Sequence, residues 1–246
     1  MTQATTENKR GLYLLLGSSL VVQATTSLVG GIVGIGPFTD TGDIPAAMGS
    51  IESDISGVYA GMFLQVVTAL VIVVLAAALY RAGSHAGKTV AIIAFGLYLM
   101  EATAHFIGQI LVFAIAEASL LFAGSGDAAL PAAAKLLFAA RDFTGAIAMM
   151  PFGVGALLFY FLITKAGVIP KWLGVWGMAT VSLVLAGWSL DAFTAAQVPF
   201  ALYVPYVPWE WVAGVYIIVK GFKTQRVSAD APLSQNPGTG TRPAPR

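Results

Sequence analysis

Cysteine is absent from the 246 residues, and charge is nearly as scarce. Without cysteine there is no disulfide, no thiolate metal ligand and no cysteine nucleophile. Lysine, arginine, aspartate and glutamate make up 10% of the chain, against about a quarter in a soluble domain. The net charge is +1, so no basic surface points to nucleic acid. Histidine occurs only as His85 and His105, which argues against paired-histidine haem ligation inside a bundle. There is also no Walker A loop, no dinucleotide fingerprint after a strand and no G-x-S-x-G elbow.

What the chain has instead is apolar sequence in long runs. Hydrophobic residues are 57% of it and the mean hydropathy is +0.81. Six runs stand out, at about 11–35, 57–80, 88–116, 138–164, 172–190 and 202–220. Each is near or above the roughly 20 residues that cross a bilayer as a helix. The last is interrupted at its start by Pro205 and Pro208. The first follows Lys9 and Arg10 but is about twice the length of a signal-peptide core, and is read as a retained helix. Residues 1–8 and 224–246 are polar or rich in Pro, Ser, Thr and Gly, and are expected to be disordered tails on a transmembrane domain over 9–223.

Charge placement orients these spans. With the N-terminus in the cytoplasm, Lys9, Arg10, Arg81, Lys88, Lys165, Lys171, Lys220, Lys223, Arg226, Arg242 and Arg246 fall inside. Only Lys135 and Arg141, of 13 basic residues, fall outside. The opposite loops carry Asp40, Asp43, Glu52, Asp54, Asp127 and Asp191. The positive-inside rule therefore predicts an all-α bundle of six transmembrane helices with both termini cytoplasmic. Its partners are the lipid bilayer and a small-molecule ligand.

One run carries the polar residues around which the others are arranged. Lys88–Ala116 contains Glu101, His105 and Gln109, which share one helix face at four-residue spacing. At about 1.5 Å of rise per residue, Glu101 lies roughly 20 Å above Lys88 and Glu210 roughly 15 Å above Lys220. Gln23 and Gln65 lie roughly 20 and 24 Å above Arg10 and Arg81 by the same measure. A polar seam from the midplane outward is expected, reaching Arg141 and Asp142 near the outer boundary. Ionisable groups in a span are costly and mark functional sites by default. Two midplane carboxylates cannot both stay ionised and alone; each holds a proton or meets a cation. His105, Arg141 and a bound cationic ligand are the candidates.

The plainest account of the seam is a hydrogen-bonded network that fixes helix packing. Against it stands a small-molecule or proton site built from Glu101, Glu210, His105, Arg141, Gln109 and Gln23. A metal held by Glu101, His105 and Glu210 is the weakest of the three, because no H-E-x-x-H motif is present. No metal is expected, and no cofactor is implied. Gly30 and Gly34 have GxxxG spacing; packing within the bundle is preferred over an oligomer face. Tyr203, Tyr206, Trp209 and Trp211 sit where a binding site could use them, but an outer aromatic belt, to which Trp188 also belongs, is the preferred reading.

Several stretches resemble a known family. RGLYLLLGSSLV in the first span, LYLMEA in the third, FLITKAGVIPKWLGVWGM across the fourth and fifth, and PWEWVAGVYIIVKGF in the sixth carry the likeness. Together they resemble the bacterial multi-pass membrane family called domain of unknown function 4386 (DUF4386), over roughly residues 10–223. The most specific piece, K-[AS]-G-x-[IL]-P-[KR]-x-L-G, reads here from Lys165 to Gly174. The resemblance implies acidic residues in the third and sixth spans, at Glu101 and Glu210. It departs at Ala140-Arg141-Asp142, where the family often reads D-A-H. It implies a fold and a bacterial inner-membrane location, and no activity.

The expected function is binding or transport of a small molecule or proton at a midplane carboxylate site open to the outside. The alternatives are a membrane-embedded enzyme acting on a lipid or isoprenoid, with Glu101 and His105 as acid and base, and a structural subunit in which the seam only cements helices.

Overall fold

A computed structural model describes residues 2–34, 42–194 and 198–229. Its helices are α1 (Thr2–Val33), α2 (Ile44–Ser53), α3 (Ile55–Gly83), α4 (Lys88–Ser125), α5 (Leu130–Lys165), α6 (Lys171–Phe193) and α7 (Val207–Ala229). Among the described residues there is no strand. Among the described residues, five helices are long and apolar enough to cross a membrane: α1, α3, α4, α5 and α6. The sixth expected span corresponds to α7, which is not one of those five. It starts at Val207 rather than 202, leaving Pro205 in the preceding turn and Pro208 in its first turn, where a missing N–H breaks no helical bond. α1 takes in residues 2–8, expected to be tail, and α7 runs six residues past 223. The rest of the expected C-terminal tail, 230–246, lies outside the described residues.

Short connections make chain neighbours pack side by side. The turns at 84–87, 126–129 and 166–170 join α3 to α4, α4 to α5 and α5 to α6, and each pair is in contact. α1 closes the bundle by packing on both α3 and α7. The core runs through all of them, with Leu16, Ile72, Leu79, Tyr98, Phe159, Tyr160, Trp209 and Ile217 essentially inaccessible. The outward faces are equally apolar: Phe63, Leu70, Ile92, Met100, Ile110, Phe161 and Val175 are exposed. A helical bundle with apolar side chains outside as well as inside is made for lipid.

α4 and α5 extend nine residues outward of 116 and eight before 138, respectively, past the expected spans. The small residues there favour helix over turn, since alanine has the highest helix propensity. α2 occupies the connection between α1 and α3, where no apolar run stood out in the sequence. The Asp43 carboxylate accepts from Ala46 N at 3.1 Å, and Pro45 sits in the first turn, a strong start signal. Its apolar face buries Met48 and Ile51 against the C-terminal half of α4 and the N-terminal end of α5, where Val112, Ile115, Ala118, Ala134 and Phe138 receive it.

The Lys165–Gly174 stretch forms the corner between α5 and α6. Gly167 adopts φ +70°, a left-handed conformation that only glycine enters without strain. Val168 N then donates to Ile163 O at 2.8 Å, closing the helix end. The Lys220 ammonium on α7 donates to the carbonyls of Gly167 and Val168. Gly174 admits Thr164, whose Oγ1 would lie on any Cβ placed there. The motif thus sets how α5, α6 and α7 meet.

The outer-belt expectation for the aromatics does not hold for Trp209, which is fully buried. Its ring lies 4.0 Å from that of Tyr160, and its indole N–H donates to Leu173 O at 2.8 Å. A side chain with every face covered by protein is core, wherever it falls along the span. The Gly30–Gly34 ridge faces α3 of the same chain, against Gly61, Leu64 and Gln65.

Candidate functional site

Few polar side chains are buried among the described residues: Ser19, Gln23, Thr68, Glu101, Ser119, Thr180 and Glu210. Thr68, Ser119 and Thr180 return their hydroxyls to carbonyls one turn back, at 2.9 to 3.0 Å, the usual way a hydroxyl is satisfied inside a helix bundle. Gln23, Glu101 and Glu210 have no such local outlet. All three line one cavity of about 210 Å³.

Six elements build that cavity. α1 brings Gln23, α4 brings Glu101 and His105, α5 brings Met149 and Phe152, and α6 brings Val184 and Trp188. The connector before α7 supplies Tyr203 and Tyr206, and α7 supplies Glu210. Glu101 is 3% exposed, and its Oε2 has no hydrogen-bond partner. Gln23 is 8% exposed, and its Oε1 is likewise unpartnered. A buried acceptor without a donor costs about 1–3 kcal/mol, so two of them on one wall need a reason.

Glu210 is partnered. Tyr206 donates to its Oε1 at 2.7 Å, and the Tyr160 and Tyr206 hydroxyls are 3.1 Å apart. A phenol has one proton, and Tyr206 directs its own at Glu210, so Tyr160 is the donor to Tyr206. The chain Tyr160–Tyr206–Glu210 sits on the buried Trp209, whose ring is stacked on Tyr206 at 6.4 Å. The rings of Phe152 and Tyr206 meet edge to face at 5.6 Å, and those of Trp188 and Tyr203 lie 5.9 Å apart. The wall is therefore aromatic on several sides and acidic on two.

A second cavity of about 430 Å³ adjoins the first and shares His105, Met149 and Trp188 with it. Gln65, Gln109, Arg141 and Asp142 line it, with the glycines of α1 and α3. The stripe Glu101–His105–Gln109 thus runs from the smaller cavity into the larger. Arg141 is not a lining residue of the smaller cavity; it pairs with its neighbour Asp142 at 2.8 Å. Of the six residues singled out in sequence, Gln23, Glu101, His105 and Glu210 come together, and Gln109 and Arg141 line the larger cavity. Among the described residues no three of His, Asp and Glu converge as metal ligands would.

Trp188, Tyr203 and Tyr206 were expected in an aromatic belt, and instead line the pocket. Tyr206 precedes Glu210 by one helical turn, which is the signal that would have found it. Asp191 holds the connector in place. Its Oδ1 accepts from Val198 N at 2.8 Å and its Oδ2 from the Tyr203 hydroxyl at 3.0 Å. Asp191→Ala is expected to raise amide hydrogen exchange across 198–206 while α6 stays protected, with global stability changed by less than about 1 kcal/mol. Unchanged exchange in the connector would show that other contacts hold Tyr203.

This is the architecture of a multi-pass integral membrane protein with two carboxylates lining a pocket between its helices. The chain belongs to the family described as domain of unknown function DUF4386, whose model matches residues 15–221. No curated protein and no solved structure matches it significantly.

Proposed function

We propose that the protein binds a small molecule inside a bacterial inner membrane, at a site formed by Glu101, Glu210, Gln23 and His105 and reached from the outer face. The observation that carries this is the pair of buried, unpartnered acceptors, Glu101 Oε2 and Gln23 Oε1, on two residues that line one cavity. A network that merely cements helices would have its acceptors filled by donors of the same network. Support for access from the outer face comes from the larger cavity beside it, lined by Gln109, Arg141 and Asp142.

The site belongs to one transmembrane unit over about 9–223 in which α7 is the sixth span and both termini are cytoplasmic. Support comes from the basic residues at one end of the spans and from the close seating of α7 on α1. A Cβ on Gly17 would lie 2.6 Å from Gly214 O, and one on Gly214 would lie 2.8 Å from Gly17 O. Small residues facing each other in this way let two membrane helices touch at their backbones.

Native mass spectrometry of the purified protein beside its Glu101→Gln variant tests the site. A bound organic mass is expected on the wild type and is expected to be lost from the variant while its helical content and melting remain normal. Retention of the same mass by folded Glu101→Gln would overturn the assignment.

A further inference from the structure

We infer that the ligand of the smaller cavity is a small organic cation, a primary or secondary ammonium, an inference that rests on the binding-site reading above. The lining chemistry is one-sided. Two carboxylates face the cavity, and among the described residues lining it there is no lysine or arginine; His105 is the one nitrogen base. The two orphaned atoms, Glu101 Oε2 and Gln23 Oε1, are both oxygens. What these two oxygens lack is a donor, and a ligand that completes them brings N–H groups. A carboxylate inside a membrane also needs a positive charge or a proton. An ammonium supplies donors and charge together.

The rest of the wall selects the kind of cation. Trp188, Tyr203 and Tyr206 line the same space, and ring faces attract an organic cation while offering nothing to replace the oxygen shell of a hydrated metal. Tyr203 and Tyr206 are held by their hydroxyls, to Asp191 at 3.0 Å and to Glu210 at 2.7 Å. Anchored phenols cannot swing in to donate to Glu101. Their rings line the pocket and their protons are already committed, which leaves the Glu101 oxygen to the ligand. At about 210 Å³ the cavity suits a compact amine with a short apolar body, not a lipid chain.

The test measures binding by isothermal titration to the full-length protein in nanodiscs. The probes are ethylammonium, n-butylammonium and 2-phenylethylammonium, each beside the alcohol that replaces its ammonium with a neutral hydroxyl. At least one ammonium is expected to bind ten or more times tighter than its alcohol, and Glu101→Gln is expected to weaken it at least tenfold. Gln23→Leu serves as the second variant should Glu101→Gln fail to fold, and a several-fold loss is expected from it. Equal binding of alcohol and ammonium, lost in both variants, would overturn the cation inference and leave the site standing. No binding of any ammonium, with a native mass still lost on Glu101→Gln, would overturn the cation inference alone. No binding of any probe and no native mass would overturn both.

Discussion

Truncating Trp209 to alanine is expected to destabilise the protein by about 3–5 kcal/mol, the range for removing a packed aromatic side chain. The indole is fully buried, packs on Tyr160 at 4.0 Å and donates to Leu173 O at 2.8 Å. Lipid tails are as apolar as the bundle interior, so the transfer part of the usual cost is reduced in a membrane. The cavity and the lost dispersion contacts remain, and they favour the lower half of the range. α6 has made room for the ring: a Cβ on Gly177 would stand 2.4 Å from Trp209 Cε2. Trp209 also underlies Tyr206, so the same truncation should loosen the phenol that holds Glu210. Denaturant titration of Trp209→Ala and Trp209→Phe in mixed micelles checks this. The phenylalanine keeps the ring and should recover more than half of the loss. A Trp209→Ala protein as stable as the parent would mean that α6 and α7 do not meet through this residue.

The helices were legible in the sequence because long apolar runs between charged turns have few other solutions. Their ends were not. α4 and α5 run on into alanine-rich sequence where hydropathy falls but helix propensity does not, so a reading by hydropathy stops early. α2 was missed although its pattern was present: Ile44, Ala47, Met48 and Ile51 fall at the spacing of one helix face. Ten residues among several acids looked like an outer loop because nothing in the sequence announced the projecting ends of α4 and α5 that would bury them.

The site was legible in part, and for one physical reason. Ionisable groups in an apolar run cannot hide, so Glu101, His105 and Glu210 were found, with Gln23 from its depth. Their partners were harder to see, because aromatic residues at the outer end of a span satisfy two rules at once. A tyrosine that anchors at an interface and a tyrosine that lines a pocket have the same sequence signature. Trp188, Tyr203 and Tyr206 were assigned to the belt on that basis, and only the folded chain brings them to the cavity that Glu101 and Glu210 line. Arg141 shows the converse. Its sequence position allowed it to reach inward to the carboxylates, but an adjacent aspartate takes its guanidinium first.

Gly61→Ala is expected to be the most damaging of the small substitutions, because the methyl group has nowhere to go. A Cβ at Gly61 would stand 2.2 Å from Gly34 Cα, 2.5 Å from Gly34 N and 2.9 Å from Gly30 O. All three are backbone atoms, so no rotamer change relieves the overlap, and α1 and α3 must separate. Overpacking usually costs about 1–3 kcal/mol, and a contact that only whole helices can relieve belongs at or beyond the top of that range. Separation would also stretch two bonds on the same interface. These are Gln65 Nε2 to Ser27 O at 3.1 Å and Thr68 Oγ1 to Thr26 Oγ1 at 2.7 Å. Gly30→Ala should be milder, since two of its three nearest contacts are side-chain atoms of Leu64 and Gln65 at 3.1 and 3.2 Å. Gly49→Ala, with nothing within 4 Å, is the control and should be neutral or slightly stabilising. Unfolding titrations of the three variants in one lipid mixture give the order directly. If Gly61→Ala proved no worse than Gly49→Ala, α1 and α3 would not touch at their glycines, and the outer chamber they line would have to be redrawn.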